Sequence, residues 1–164
     1  MKKVSWILAL TVLVAGLSWA EPVVDGKVSA GEYTLSKKVI QGNALLSWSS
    51  DGKGGLYIAY TAKGKGWAGV GLGSQEMNGA YIYFGFVGSD GKVVFSEQMG
   101  KAHRHSDSGK KTASQSAVVL AGGSTTLEFH VPADKLPFSG KTVNFITAFS
   151  DSADISPPRK PAWR

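Results

Sequence analysis

Trp67-Ala-Gly-Val-Gly-Leu-Gly-Ser-Gln-Glu-Met-Asn-Gly-Ala-Tyr-Ile-Tyr-Phe-Gly-Phe-Val87 is the stretch on which the reading of this chain turns. A glycine-laced apolar strand runs into a short polar loop, and an aromatic strand follows. Successive side chains of a strand point to opposite faces. Ala80, Ile82, Phe84 and Phe86 therefore share one face, and Tyr81, Tyr83 and Val87 the other. A strand with one solvated face alternates polar and apolar residues, and this one does not. Either a second layer covers it, or one face lines a ligand pocket. Gly85 in mid-strand marks a place where something approaches the backbone closely.

Working outward, similar short apolar or alternating runs recur between clusters of Gly, Asn, Asp and Ser, the pattern of an all-β sandwich. The expected strands are Tyr33–Ile40, Ala44–Ser49, Leu56–Ala62, Trp67–Leu72, Ala80–Val87, Val93–Gln98, Ser116–Leu120, Thr125–Val131 and Thr142–Phe149. Ser50-Asp-Gly-Lys-Gly-Gly55 and Gly88-Ser-Asp-Gly91 supply the Gly and Asp that tight hairpin turns need. No stretch carries sustained helical periodicity, and Pro132-Ala-Asp-Lys-Leu-Pro137 has room for one helical turn. With no long repeat and no linker, the chain reads as one antiparallel β-sandwich domain.

The first twenty residues read as a signal peptide. Lys2 and Lys3 form a positive start, Val4–Leu17 an apolar run, and Ser18-Trp-Ala20 a small-x-small cleavage pattern, so the mature chain is expected to span 21–164. The apolar run is shorter than the ~20 residues a membrane span requires. No later segment is long and apolar enough to cross a bilayer, and a secreted or periplasmic protein without a membrane span is expected. The chain has no cysteine, which excludes thiolate metal sites, a Cys nucleophile and covalent c-type haem attachment. The formal charge is +6, two units of which lie on Lys2 and Lys3. The rest is scattered over turn lysines, which argues against a nucleic-acid partner.

Few residues carry chemistry. Met77, between a polar loop and an aromatic strand, reads either as a gap-filling core residue or as a soft thioether ligand in a mobile loop mouth. In Lys101-Ala-His-Arg-His-Ser-Asp107 the i, i+2 spacing sends His103 and His105 the same way in an extended segment. With Asp107 they suit a surface zinc or copper ion, or simply a solvated polar loop. Alternation places His130 with Glu128 opposite Leu127 and Phe129, on the expected solvent side. Gly69-Val-Gly-Leu-Gly73 leads into a strand rather than a helix and is no phosphate loop. The turn-located acids Asp51, Asp90 and Asp107 make no pair for glycoside chemistry. The chain does not read as an enzyme.

Several segments, in order, resemble the DOMON domain family, exported β-sandwiches that bind haem b or sugars. They are Val24-Asp-Gly-Lys-Val-Ser-Ala-Gly-Glu-Tyr33, Trp48, Leu56-Tyr-Ile-Ala-Tyr60, Gly66-Trp-Ala-Gly-Val-Gly-Leu-Gly73, Met77-Asn-Gly-Ala80, Thr126-Leu-Glu-Phe-His-Val-Pro132 and Phe145-Ile-Thr-Ala-Phe-Ser150. Met77 falls where haem-binding members keep Met-x-Gly-Ala. The family usually has Asp next, where this chain has Tyr81. Cytochrome members place a His just past the last strand, and here that region lacks one. The resemblance to the haem subunit of ethylbenzene-dehydrogenase-type enzymes, which use Lys, makes Lys160 the expected second ligand, with His103 or His105 as the alternative if their loop folds over the pocket. A lysine ligates only as the neutral amine.

The resemblance thus implies haem b as cofactor, Met77 and Lys160 as metal ligands, and Trp67, Ile82, Phe84 and Phe86 as the surrounding shell. Its role would be electron transfer outside the cytoplasm, with an exported redox protein or enzyme as partner. A carbohydrate-binding module, with Trp48, Trp67, Tyr81 or Tyr83 stacking on sugar rings, and an accessory docking domain are the alternatives.

Overall fold

The computed structural model describes residues 20–139 and 142–151. Among the described residues ten strands follow one another: β1 (Leu35–Val39), β2 (Ala44–Ser50), β3 (Leu56–Lys63), β4 (Ala68–Leu72), β5 (Tyr81–Val87), β6 (Val93–Lys101), β7 (Arg104–Asp107), β8 (Gln115–Ala121), β9 (Ser124–Val131) and β10 (Phe145–Phe149). Single 3₁₀ turns stand at Ile40–Gly42 and Ala133–Lys135. The strands form two five-stranded sheets, β1-β2-β3-β9-β8 and β10-β4-β5-β6-β7, and every pairing is antiparallel. This is the sandwich expected from the strand pattern, with one strand more. The segment around His105, read as a polar loop, is β7, the edge of the second sheet.

The main core lies between the sheets. Ile58, Tyr60, Leu127 and Phe129 of the first sheet meet Val70, Leu72, Tyr81 and Tyr83 of the second, all buried. At its centre the rings of Tyr83 and Phe129 stack at 4.1 Å. Gly85 is what permits this closeness: a Cβ there would stand 2.6 Å from Val118 Cγ2 and 3.0 Å from Leu127 Cδ1. The close approach inferred from its mid-strand position is the opposite sheet.

The outer face of the first sheet is not the solvent face that alternation suggested. Glu128 is wholly buried there, because the N-terminal segment lies over it. Its Oε2 accepts the backbone N–H of Asp25 (3.0 Å) and of Gly26 (2.7 Å), and its Oε1 accepts the Tyr33 hydroxyl. His130, two residues on along the same face, stacks on Tyr57 at 4.2 Å and reaches Asp51 Oδ2 at 3.0 Å. Ser114 Oγ lies 2.7 Å from its Nδ1. These contacts pin the β2–β3 turn and the start of β8 to β9.

Burial pushes the Glu128 carboxyl above its ordinary range, against the opposing pull of its three hydrogen-bond donors. The sign follows from linkage. A carboxyl whose pKa is raised by folding favours the native state in acid and loses that contribution as pH rises past the raised value. Relative to Glu128→Gln, the wild-type protein is therefore expected to lose stability as pH rises from the ordinary glutamate range through the raised value, read from urea midpoints. Parallel profiles for the two proteins would refute this.

Candidate functional site

The site is built on the outer face of the second sheet. Strand pairing fixes which residues share that face, since residues directly opposite in an antiparallel ladder point the same way. Ile82 lies between Gly71 and Gln98, Phe84 between Gly69 and Ser96, and Phe86 opposite Val94. Ile146 and Ala148 of β10 continue the rows beyond Gly71 and Gly69. On this side the glycine-laced strand contributes a trough without side chains, walled by the aromatics of β5 and the apolar residues of β10.

These residues make a second buried cluster, separate from the main core: Trp67, Met77, Ala80, Ile82, Phe84, Phe86, Ile146 and Ala148. The Trp67 and Phe84 rings are 5.3 Å apart, and Phe84 meets Phe86 edge-on at 5.8 Å. The sequence left two options for β5, a second layer or a pocket wall. The structure shows both its faces buried, the inner in the sandwich and the outer in this cluster.

Five of the six residues singled out from the sequence, Trp67, Met77, Ile82, Phe84 and Phe86, thus come together in one place. The sixth, Lys160, lies outside the described residues.

Met77 is not in an open, mobile loop mouth. It is 4 % exposed, and its loop is tied down at several points. Ser74 Oγ donates to Asn78 O (2.8 Å), Ala102 N–H donates to Asn78 Oδ1 (2.9 Å), and Gly79 N–H donates to Gly100 O (3.0 Å). Gly100 is indispensable to this arrangement. A Cβ there would overlap the Met77 carbonyl oxygen and stand 3.1 Å from Met77 Cγ.

His105 joins the same face, a placement the sequence offered only if a loop folded over. It stands opposite Gly100 in the β6–β7 ladder, its ring 6.3 Å from that of Phe84 and its Nδ1 hydrogen-bonded to Gln98 Oε1. Although His105 is exposed at the sheet edge, desolvation of its ring lowers its pKa and favours neutral imidazole. The strand escaped notice because its turn is only Ala102-His103, between the paired Lys101 and Arg104. Ala102 takes a positive φ of 54°, and no glycine or asparagine announces the bend. The surface metal site considered for His103, His105 and Asp107 does not form: among the described residues no three His, Asp or Glu side chains gather to hold an ion.

The platforms considered for sugar rings are placed differently. Tyr81 and Tyr83 face the inter-sheet core, 3 % and 0 % exposed. The Tyr81 hydroxyl donates to Glu97 Oε2 (2.9 Å), and that of Tyr83 pairs with Thr112 Oγ1 (2.7 Å). Trp48 packs on Phe145 at 5.6 Å. Glu97, unmarked in the sequence, also accepts the Thr112 and Ala113 N–H groups (2.7 and 3.2 Å), holding the β7–β8 connection to the sheet. A cleft of about 500 Å³ opens beside it, lined by Phe95, Asp107, Lys110, Lys111 and Ser116 among others. It contains none of the residues expected to surround or ligate haem, and of those considered for a surface ion only Asp107.

Compared with known families, residues 40–148 match the DOMON domain. The chain belongs to the DOMON family. The match runs from the turn before β2 through most of β10, and so covers both sheets and the whole apolar face. Membership is compatible with haem or sugar binding and does not choose between them. No curated protein matches the chain. Among the described residues of this DOMON domain, no helix is long and apolar enough to cross a membrane.

Proposed function

We propose that this DOMON domain binds haem b on the outer face of its second sheet and serves in electron transfer outside the cytoplasm. An exported redox protein or enzyme would be its partner. The observation that carries the reading is the placement of Met77: a thioether packed into an apolar wall of Trp67, Ile82, Phe84 and Phe86 on one sheet face. A soft sulfur donor amid aromatic and aliphatic side chains suits a flat, apolar macrocycle with iron at its centre. When bound, haem supplies a one-electron couple, and a methionine ligand raises its potential. The protein's part is to orient the sulfur, supply the apolar shell and limit water.

On the resemblance alone, the second ligand would be Lys160. Sugar binding is less well supported, because Tyr81 and Tyr83 are committed to the core and Trp67 is 8 % exposed. The apolar cluster is closed: Phe84 and Phe86 are 9 % exposed. A porphyrin is admitted only if these side chains part.

The test is a visible spectrum of the protein as purified and after titration with hemin. Saturable binding of one hemin, with a sharp Soret band that shifts on reduction, is the expected result. No saturable binding by the full-length protein, together with Trp67-dependent binding of oligosaccharides, would replace this reading with the carbohydrate one.

A further inference from the structure

We infer that the cleft between β6 and the β7–β8 connection is a binding site for a small planar aromatic carboxylate. Sharing no residue with the apolar cluster of the second sheet, it stands independently of the haem reading.

The cleft has the room. Its volume of about 500 Å³ falls within the range of small-molecule sites, about 300–1,000 Å³. Phe95 forms one wall. It stands opposite Gly85 in the β5–β6 ladder, with its ring 6.4 Å from that of Tyr83 and 6.3 Å from that of Phe129. Phe95 thus ends the row of core aromatics, and being only half-buried it leaves part of its ring to the cleft. A flat ring is the group best suited to lie against it.

The opposite wall is the connection after β7, and it is braced from beneath. The Tyr81 hydroxyl lies 2.9 Å from Ser108 Oγ and 3.1 Å from Lys110 O, and the Tyr83 hydroxyl lies 2.7 Å from Thr112 Oγ1. Glu97 accepts from the Tyr81 hydroxyl, from the N–H and hydroxyl of Thr112 and from the N–H of Ala113. Two core tyrosines and a carboxylate therefore fix the shape of the cleft before any ligand arrives, which lowers the cost of binding.

The polar lining is one-sided in what it can still offer. Formal charges balance, Lys110 and Lys111 against Glu97 and Asp107. Yet Glu97 is occupied by its own donors, and Asp107 Oδ1 accepts the Gly109 N–H at 2.7 Å. Among the described residues neither lysine has an ion-pair partner. Each ammonium carries three donors and no acceptor. Donors of this kind beside an aromatic wall select a ligand with an anionic acceptor at one end and a flat apolar ring at the other.

The experiment titrates the full-length protein with naphthoate by isothermal calorimetry. Naphthalenemethanol, which keeps the rings without the charge, and acetate, which keeps the charge without the rings, are the comparators. Saturable binding of one naphthoate is expected, weakening as salt is raised, with neither comparator saturating over the same range. Lys110→Ala and Lys111→Ala should each weaken binding about 2- to 5-fold, and the double variant Lys110→Glu with Lys111→Glu should abolish it. Lys37→Glu, on β1 of the other sheet, should bind as wild type does. Ser116 lines the cleft from an exposed position on β8, where an aromatic side chain suits a strand. Ser116→Trp should therefore fill the cleft and abolish binding without lowering the urea midpoint. No saturable naphthoate binding, equal binding of the alcohol, or binding that survives either Ser116→Trp or the double lysine reversal would each overturn the assignment.

Discussion

Met77→Ala is expected to lower the free energy of unfolding by about 2–5 kcal/mol, the range for truncating a buried methionine. The side chain is 4 % exposed and packs with seven other buried residues on the outer face of the second sheet. Truncation leaves a cavity that the β-sheet backbone beneath it cannot close. Met77→Leu keeps the volume and should cost less than about 1.5 kcal/mol. The pair separates two roles of one side chain. Unfolding midpoints read the packing, which leucine restores. The thioether charge-transfer band of the hemin complex reads the sulfur, which leucine cannot replace. Equal stability of Met77→Ala and wild type would contradict the packing. A charge-transfer band retained by Met77→Leu would remove the sulfur from the iron.

Phe129→Ala is expected to cost about 3–5 kcal/mol. Phe129 is fully buried and joins the sheets through its stack on Tyr83, with Phe95 6.3 Å away. Its removal forfeits the buried area and the ring–ring contact, itself worth about 0.5–1.5 kcal/mol. The sheets already meet at Gly85, where a Cβ would stand 2.6 Å from Val118 Cγ2, so they have little room to close further into the space. Urea unfolding of the two proteins measures the difference, and a loss below about 1.5 kcal/mol would show that the sheets move together after all.

Most of the architecture was legible in the sequence because its signals are local. Alternation and turn residues placed nine strands, and the two-faced apolarity of Ala80–Val87 left a covering layer or a pocket wall, of which the structure shows both faces of β5 buried. What escaped depends on tertiary contact. Glu128 has the residue type of a solvated position and is buried because a segment about a hundred residues earlier lies across it. Met77 sits in a polar loop, and only its return to Gly100 and Ala80 reveals it as packed. The gathering of Trp67, Met77, Ile82, Phe84 and Phe86 followed from the family resemblance, which encodes that geometry without displaying it. His105 stayed ambiguous because the turn that makes its strand contains no turn-forming residue.

The order of strands also has a consequence in time. β3 is partnered on one side by β9, and β4 by β10, so a central strand of each sheet waits for a neighbour from the last third of the chain. No N-terminal half can stand by itself. A chain emerging from a ribosome or a translocation pore presents β3 and β4 with bare edges until its final strands arrive, and bare edges recruit other chains. Such long-range closure belongs to the slow end of single-domain folding, on the order of milliseconds to seconds. The same topology that buries the two sheets against each other therefore makes assembly nearly all-or-none, and makes the interval before completion the protein's period of greatest exposure to aggregation.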